Sequence, residues 1–240
     1  MKNFILATAA VALTSTMALA DAHSVVRMGT EGAYAPWNFI NDAGEVDGFE
    51  RELGDELCAR AELTCEWVTN EWDSIIPNLT SGNYDTIIAG MSITAERAEL
   101  IDFTQPYTPA DPSSYLVLDA GLDVESAIVA AQTGTIQASF IADQGWTVVE
   151  FATLEETIAA VRNGEADAVL ADKSVLVAAL KGQSDLVILA REEAIGGGVG
   201  MGLRQSDTEL RDTFDAAIQS MKDDGSLNTL IEKWEVASKF

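Results

Sequence analysis

One ten-residue segment occurs twice in this chain, and the repeat limits the possible folds more than any other feature of the sequence. Residues 81–90 (SGNYDTIIAG) align without gaps with residues 163–172 (NGEADAVLAD). In both copies a predicted helix ends at a glycine suited to the left-handed conformation, and an Asp then precedes an apolar strand. Two equivalent helix-to-strand units indicate two similar lobes of an α/β protein. Since open α/β sheets bind ligands beyond the carboxyl ends of their strands, Gly90 and Asp172 are expected to face one shared cleft.

The other periodic patterns also predict an α/β fold, in which each lobe has a central sheet flanked by helices. Phe49, Leu53, Leu57 and Ala61 recur every four residues and predict one helix. The helices before the two repeat copies are predicted at 74–80 and 156–162, and the strands at 25–29, 86–89, 114–118, 127–131, 168–171 and 186–190.

Two chain crossings between the lobes are predicted. The first lies at 107–113, where Pro106, Pro109 and Pro112 favour extended chain, and the second lies in the glycine-rich segment 192–198. These hinges divide the chain into a leader, a first lobe and a second lobe. The predicted boundaries are 1–20 for the leader, 21–110 plus 195–240 for the first lobe, and 111–194 for the second lobe.

The N-terminus has the three parts of a secretory signal, which are Lys2, an apolar run over 4–13 and the small-residue ending Ala18-Leu19-Ala20. A single membrane-spanning helix is the alternative, but it needs about 20 apolar residues, and the polar segment 14–16 interrupts this run. Cleavage is expected before Asp21. No later segment is apolar for long enough to span a bilayer. We therefore expect a soluble mature protein in the periplasm.

The sequence is strongly acidic, with 39 Asp and Glu residues against 14 Lys and Arg residues and a formal net charge of −25. Such a charge repels phosphate backbones and anionic lipids, which excludes nucleic acid as a partner. Two explanations of the acidity stay open. It favours solubility in salty surroundings, or it attracts cationic solutes, an effect that salt would weaken.

Cys58 and Cys65 are the two cysteines of the chain. In an exported protein an even number of closely spaced cysteines predicts a disulfide, whereas a zinc site would need further ligands, which are lacking. A short loop closed in this way adds roughly 2.5 kcal/mol of stability. Neither a metal nor another cofactor is predicted.

The segment 92–97 predicts the start of a helix with Thr94 as its N-cap. Arg97 then lies in the first turn, where the helix dipole disfavours a cation. A guanidinium at that position, beside free backbone amides, is suited to bind a carboxylate through two parallel hydrogen bonds. A surface ion pair with Glu96 or Glu99 is the alternative explanation.

A second set of candidates belongs to the other lobe. Ile136 and Gln137 follow a predicted strand and open another helix, so amides there could hold the same anion. Asp172 ends its strand and carries a negative charge into a partly buried cleft, which is costly unless a cation such as a ligand ammonium compensates it. Pairing of Asp172 with Lys173 or Arg162 is the competing explanation.

Two aromatic residues and one acid complete the candidate site. Tyr34 and Trp72 lie near predicted strand ends, and their faces could enclose an aliphatic or cationic side chain. As isolated features, such aromatics are more often part of a core. Glu31 follows a short strand and could offer its carboxylate to a cationic side chain, although a solvated loop position explains it equally well.

The residues in these segments resemble the polar amino-acid-binding proteins of bacterial ABC importers over essentially the whole mature length. The matching positions are 29–31, 34–36, 48–50, Cys58 with Cys65, 72–79, 92–94, Arg97, 102–104, 106–107, 133–135, Asp172 and 200–204. The resemblance implies a two-lobed Venus-flytrap protein that closes on one amino acid and docks on a membrane permease. We expect it to be a monomer.

The resemblance also implies which residues bind the common part of an amino acid. Arg97 and the amides near Ser92 and Ile136 would bind the α-carboxylate. Asp172, with Ser92 and the Gly90 carbonyl, would bind the α-ammonium.

The identity of the ligand side chain depends on a few positions. In the lysine/arginine/ornithine-binding members, aromatics at the positions of Tyr34 and Trp72 stack on the side chain, and an acid at the position of Glu31 meets its far end. A cationic amino acid such as arginine, lysine or ornithine is therefore the expected cargo. Ala89 and Gly90 stand where those members have two serines, and in this respect the chain resembles glutamine binders. The combination of Glu31 and Trp72 also resembles that of opine binders. Glutamine-like and opine ligands stay open as alternatives.

An enzyme is the alternative from a different class. The chain also resembles an exported cyclohexadienyl dehydratase, which would need a carboxylic acid of raised pKa above its substrate. The single His, His23, lies at the mature N-terminus, so nucleophilic and metal chemistry lack candidate residues in the cleft. We therefore expect a binding protein and no catalytic residues.

Overall fold

The computed structural model describes residues 25–240, so the predicted leader at 1–20 and His23 lie outside the described part of the chain. Within that part, two five-stranded sheets are flanked by helices, and residues 33–47 hold a small three-stranded sheet. The predicted α/β class and the two-lobed architecture are confirmed.

The strands are β1 (Val26–Thr30), β2 (Ala33–Tyr34), β3 (Asn38–Ile40), β4 (Val46–Asp47), β5 (Cys65–Thr69), β6 (Thr86–Ile87), β7 (Asp102–Phe103), β8 (Ser113–Val117), β9 (Ile128–Gln132), β10 (Thr147–Phe151), β11 (Ala168–Asp172), β12 (Val187–Glu193) and β13 (Gly202–Leu203). The helices are α1 (Phe49–Arg60), α2 (Ile75–Thr80), α3 (Ala95–Ala98), α4 (Ile136–Asp143), α5 (Leu154–Asn163), α6 (Lys173–Ala179), α7 (Thr208–Asp223) and α8 (Ser226–Trp234). A 3-10 turn occupies Trp72–Ser74. Within residues 25–240, no helix has both the length and the apolar character needed to cross a bilayer.

The two large sheets share the same internal order. Neighbouring strands follow the order β5-β1-β6-β13-β7 in the first sheet and β10-β9-β11-β8-β12 in the second. The first three strands of each list are parallel, and the fourth, β13 or β8, is antiparallel to the third. Strands β1, β5 and β6 therefore correspond to β9, β10 and β11.

The two copies of the sequence repeat form the same local structure. Gly82 after α2 has a φ of 80° and Gly164 after α5 has a φ of 77°, so both take the left-handed conformation that glycine tolerates best. The Asp of each copy then bonds to the neighbouring parallel strand, β1 for Asp85 and β9 for Asp167. The backbone N–H of Asp85 or Asp167 donates to a carbonyl of that strand over 2.8 Å, and its carboxylate accepts from a backbone N–H of the same strand over 3.0 or 2.8 Å.

Apolar periodicity explains why α1 forms and what it covers. Phe49, Leu53 and Leu57 are completely buried, and the helix packs on α7 and α8. In α7, Phe214 and Ile218 show the same four-residue spacing and are also completely buried. Helices α7 and α8, which were not predicted from the sequence, join α1 in one apolar core.

Cys58 and Cys65 form the predicted disulfide, with a Cα–Cα distance of 6.3 Å. The bond joins the last turn of α1 to the first residue of β5. It therefore ties the edge strand of the first sheet to the helix that covers that lobe.

Two segments connect the large sheets, 104–112 between β7 and β8 and 194–201 between β12 and β13. They run side by side, because the backbone N–H of Val199 donates to the Thr108 carbonyl over 3.1 Å and the N–H of Tyr107 donates to the Val199 carbonyl over 2.8 Å. The two segments overlap the predicted hinges. The predicted lobe boundaries at 110 and 195 stay a prediction.

Candidate ligand-binding site

The cleft between the two sheets holds a narrow cavity, whose empty space is about 310 Å³ when its opening to solvent is included. It lies at the carboxyl ends of parallel strands, since Glu31 follows β1, Gln132 ends β9 and Asp172 ends β11. Twelve residues line it, namely Glu31, Tyr34, Trp72, Ala89, Gly90, Ser92, Arg97, Gln132, Thr135, Ile136, Gln137 and Asp172. The structure thus brings all nine predicted binding residues together. Ala89, Gln132 and Thr135 were not among them.

Arg97 is only 9 % exposed, and it lies in α3 as predicted. Thr94 is the N-cap of this short helix, because its hydroxyl oxygen accepts a hydrogen bond from the backbone N–H of Arg97 over 3.1 Å. Within residues 25–240, no salt bridge joins Arg97 to Glu96 or Glu99. The surface ion pair proposed as the alternative does not form.

The guanidinium of Arg97 is held by carbonyl oxygens and an aromatic ring. It donates to the Ser92 carbonyl over 2.9 Å and to the Gly134 carbonyl of the second lobe over 3.3 Å, and it lies 5.2 Å from the centre of the Trp72 ring. Burial lowers the pKa of Arg97 to about 10, and the nearby Asp172 opposes that effect, so the group is cationic at pH 7. Each of the two bonds uses one terminal nitrogen, and a guanidinium has five N–H donors, so donors remain for a carboxylate.

Asp172 accepts hydrogen bonds from two neutral side chains and forms no salt bridge within the described residues. Its Oδ2 accepts from the hydroxyl of Tyr34 and its Oδ1 accepts from Nε2 of Gln137, both over 2.8 Å. The competing partners lie elsewhere, since Lys173 and Arg162 pair with other carboxylates. Burial raises the pKa of Asp172 to about 7, and the hydrogen bond from Tyr34 offsets only part of the rise.

Glu31 is the second acid of the cavity. Its Oε1 accepts a 2.6 Å hydrogen bond from Nε2 of Gln132, which reaches across from the second lobe. Burial raises the pKa of Glu31 to about 7; the Gln132 bond opposes the rise, and the charge of Glu50 adds to it. Glu31 is therefore not a freely solvated loop residue.

The two predicted aromatics differ from the core aromatics of the same lobe. Tyr34 and Trp72 are half-buried and line the cavity, whereas Trp37 and Tyr107 are almost completely buried. Tyr34 contacts Asp172 through its hydroxyl. The two cavity aromatics therefore place both an apolar face and a polar group at the site.

Glu50 is a buried polar residue beside the cavity that was not among the predicted site residues. It is completely buried in the first turn of α1 and accepts from Gly90 N over 2.6 Å, from Asn38 Nδ2 over 2.7 Å and from the hydroxyl of Tyr107. Glu50 thus connects Gly90 of the cavity to Tyr107 of the first segment that joins the two sheets. Its spacing of three residues before Leu53 was the available signal, because that spacing places it on the buried face of the helix.

The charges of the cavity define what can bind there. The lining residues include one basic side chain, Arg97, and two acidic ones, Glu31 and Asp172. Such a wall complements a solute with one anionic group and two cationic groups. No group of three or more His, Cys, Asp or Glu side chains suited to a metal ion occurs within residues 25–240.

Hydrogen bonds across the cleft join the two lobes. Besides the Tyr34–Asp172, Glu31–Gln132 and Arg97–Gly134 contacts, Nε1 of Trp37 donates to the hydroxyl of Ser174 over 3.1 Å. The candidate residues therefore contact one another from opposite lobes.

Comparisons with known proteins identify the family of the chain. The sequence profile of the bacterial extracellular solute-binding proteins, family 3, matches residues 26–237. The chain is 30% identical to the octopine-binding periplasmic protein of Rhizobium meliloti, over 87% of this chain and 89% of the relative. It is also 30% identical to the lysine/arginine/ornithine-binding periplasmic protein of Escherichia coli (strain K12), over 98% of this chain and 97% of the relative. A solved structure of a periplasmic His/Glu/Gln/Arg/opine family-binding protein from Silicibacter pomeroyi in complex with lysine is 68% identical, with a TM-score of 0.87 and coverage of 90% of this chain and 100% of that chain.

Proposed function

The chain belongs to the bacterial extracellular solute-binding proteins of family 3, and we propose that it captures a cationic L-amino acid in the periplasm and delivers it to an ABC importer. L-Lysine is the first candidate, with L-arginine and L-ornithine as related ones. The lysine complex of the Silicibacter pomeroyi protein, at 68% identity, supports this choice.

The observation that carries the proposal is the charge pattern of the cavity. One guanidinium and two carboxyl groups line it, while a cationic amino acid at pH 7 has one carboxylate and two cationic groups. Burying such a ligand would pair every charge, whereas a neutral side chain would leave one carboxyl group without a cation.

The proposed roles follow from the position of each group. Arg97 binds the α-carboxylate, together with amides near Ser92 and Ile136. Asp172 binds the α-ammonium, with help from Ser92 and Gly90. These two charged groups belong to opposite lobes.

The ligand side chain then extends between Tyr34 and Trp72 toward Glu31. Its aliphatic part contacts the aromatic faces and its terminal cation meets the Glu31 carboxylate. Gln137 supports the site indirectly, because its Nε2 donates to Asp172 over 2.8 Å and to the hydroxyl of Ser113 over 3.0 Å.

Closure of the two lobes follows from this division of contacts. Because the ligand's charged groups bind residues of both lobes, the ligand has higher affinity for a closed arrangement than for an open one, and binding shifts the population toward closure. The closed form is the one that docks on the permease.

The test is a calorimetric titration of the secreted protein after unfolding and refolding, which removes carried-over ligand. L-Lysine, L-arginine, L-glutamine and octopine are titrated in turn. We expect a dissociation constant in the micromolar range or below for lysine or arginine, which corresponds to about 8 kcal/mol or more. Tighter binding of glutamine or octopine would overturn the cationic ligand and leave the family assignment in place.

A variant comparison sharpens the test. Glu31→Gln is expected to weaken lysine binding by about 10- to 100-fold, since it removes a buried charge partner, and to change glutamine binding little. Glu165→Gln is the matched control, because Glu165 is exposed in the second lobe and lies outside the cavity lining. Equal losses for both ligands in Glu31→Gln would disprove the role of Glu31.

A dehydratase is the second candidate function. Two carboxyl groups whose pKa is raised to about 7 share the cavity, and a general acid at neutral pH has this property. Incubation of the refolded protein with prephenate or arogenate decides between the two functions. We expect no turnover, and product formation that Asp172→Asn or Glu31→Gln abolishes would replace the binding function with an enzymatic one.

A further inference from the structure

We propose that Gln132 is a specificity-determining residue of the cavity, which positions the Glu31 carboxylate from the opposite lobe and adds its own Oε1 as a second acceptor for the ligand's terminal N–H groups. The inference rests on the proposed binding of a cationic amino acid and names how the terminal cation is selected.

Gln132 is fixed in one orientation. It is the last residue of β9 and is 6 % exposed. Its Nε2 donates to Oε1 of Glu31 over 2.6 Å and to the carbonyl oxygen of Ala152 over 2.9 Å, which uses both N–H groups of the amide. The reversed amide would place Oε1 against two acceptors, one of them a carboxylate, and is therefore disfavoured.

This orientation leaves acceptor atoms for a ligand. Among the hydrogen bonds of residues 25–240, none ends on Oε1 of Gln132 or on Oε2 of Glu31, whereas Oε1 of Glu31 is occupied by the Gln132 amide. Both side chains line the cavity. The far end of the site thus presents one neutral oxygen and one carboxylate oxygen, held together by a hydrogen bond between the lobes.

Two acceptors select a particular kind of ligand group. An ammonium or a guanidinium carries a positive charge and at least two N–H donors, so it satisfies both oxygens. A methyl group leaves both unpaired, and a carboxylate places its oxygens against acceptors. A neutral amide can donate to both oxygens, but it leaves the Glu31 charge without a cation. Sites that bond a donor in this way reject analogues that lack it. The pair therefore distinguishes lysine from norleucine, which has the same carbon skeleton without the terminal ammonium.

The experiment measures the ratio of dissociation constants for L-norleucine and L-lysine by displacement calorimetry extended to millimolar ligand. In Gln132→Met, which has similar size but neither donor nor strong acceptor, we expect this ratio to fall at least ten-fold. Norleucine binding should change by less than about three-fold, since its α-groups bind Arg97 and Asp172 as before. Gln144→Met, at an exposed position after α4, is the control and should leave both constants unchanged.

The alternatives give different results. If Gln132 only holds the lobes together, both ligands weaken by the same factor in Gln132→Met, and the proposal is overturned. Gln132→Asn provides a second test in case the first variant does not fold, because it keeps the amide but shortens its reach, and it should also lower the ratio. Wild-type protein that does not prefer lysine over norleucine would overturn the proposed function itself, and this inference with it.

Discussion

The two copies of the sequence repeat have the same local structure except at their carboxyl ends, where they present different groups to the cleft. Residues 81–87 and 163–169 have the same left-handed glycine, the same Asp bonded to the neighbouring strand and the same parallel strand. At the end of the first copy, Gly90 turns its backbone N–H to Glu50 over 2.6 Å. At the end of the second copy, Asp172 places a carboxyl group in the cavity.

Within each ten-residue copy, some positions build the fold of a lobe and others line the cavity. Asp85 and Asp167 face backbone N–H groups of their own sheet, so they contribute to the fold of a lobe. Asp172 faces Tyr34 and the cavity, which is why we propose that it binds the ligand. The same residue type therefore has two roles: Asp85 and Asp167 accept from backbone N–H groups of their own sheet, whereas Asp172 accepts from the side chains of Tyr34 and Gln137 at the cavity.

The largest effect is expected from a substitution of Asp172, the last residue of the second copy. Asp172→Asn removes the charge that we assign to the ligand ammonium, and lysine affinity should fall about 100-fold or more. Asparagine can still bond to Tyr34 and Gln137, so the variant should fold. Calorimetric titration with lysine measures the loss.

The matched control is Asp167→Asn, five positions earlier in the same copy. It should lower the free energy of unfolding by up to about 1 kcal/mol, because it weakens the bond to β9, and leave lysine affinity within about two-fold. Similar affinity losses in the two variants would show that the scaffold and cleft positions are not distinct.

The next effect is a pH dependence. Burial raises the pKa of both Asp172 and Glu31 to about 7, so both are mostly protonated at pH 6 and must ionise to pair with ligand cations. Lysine affinity should rise from pH 5.5 to 7.5 and level off above. Calorimetry at pH 6 in buffers of different ionisation enthalpy should detect release of about two protons per lysine in the wild type and about one in Glu31→Gln. The same number in both proteins would contradict the assignment of Glu31.

A smaller effect concerns the stability of the first lobe. Partial burial alone would raise the pKa of Asp85, but hydrogen bonds from Arg27 and Arg204 lower this pKa to about 2. A depressed carboxyl pKa stabilises the fold above the unfolded pKa near 4, and this contribution is lost as the pH falls toward 2.

Asp85→Asn should therefore cost about 1–2 kcal/mol of unfolding free energy at pH 7, after allowance for partial solvent screening. The difference from wild type should shrink at pH 3. Urea unfolding at both pH values measures it, and a difference that grows toward acid would contradict the ion-pair origin.

The smallest effect concerns Gly82 and Gly164, which follow the helices of the two copies. Gly82→Ala and Gly164→Ala introduce a Cβ that meets no atom within 4 Å at either position, so only the positive φ is penalised, by about 1 kcal/mol in each case. Thermal unfolding should show similar shifts, and lysine titration should show none. A large difference between the two variants would mean that the copies are not equivalent.

Much of the fold followed from local patterns. The predicted helix at 49–61 is confirmed by α1 and the strands of both repeat copies by β6 and β11, because apolar spacing and turn-forming glycines act over a few residues. The C-terminal helices α7 and α8 were missed. The resemblance to polar amino-acid-binding proteins, which rested on short motifs, is confirmed at the level of the family.

The sequence by itself determined the repeat, the disulfide and the residue types that could serve a cleft between two lobes. Only the tertiary structure decided which of those groups meet, because the decisive contacts join residues far apart in the chain, such as Tyr34 with Asp172 at a separation of 138 and Glu31 with Gln132 at a separation of 101. Burial and pKa depend on every atom around a group rather than on its sequence neighbours. For that reason Gln132, which has ordinary sequence surroundings, was recognised as a site residue only once the lobes were in place.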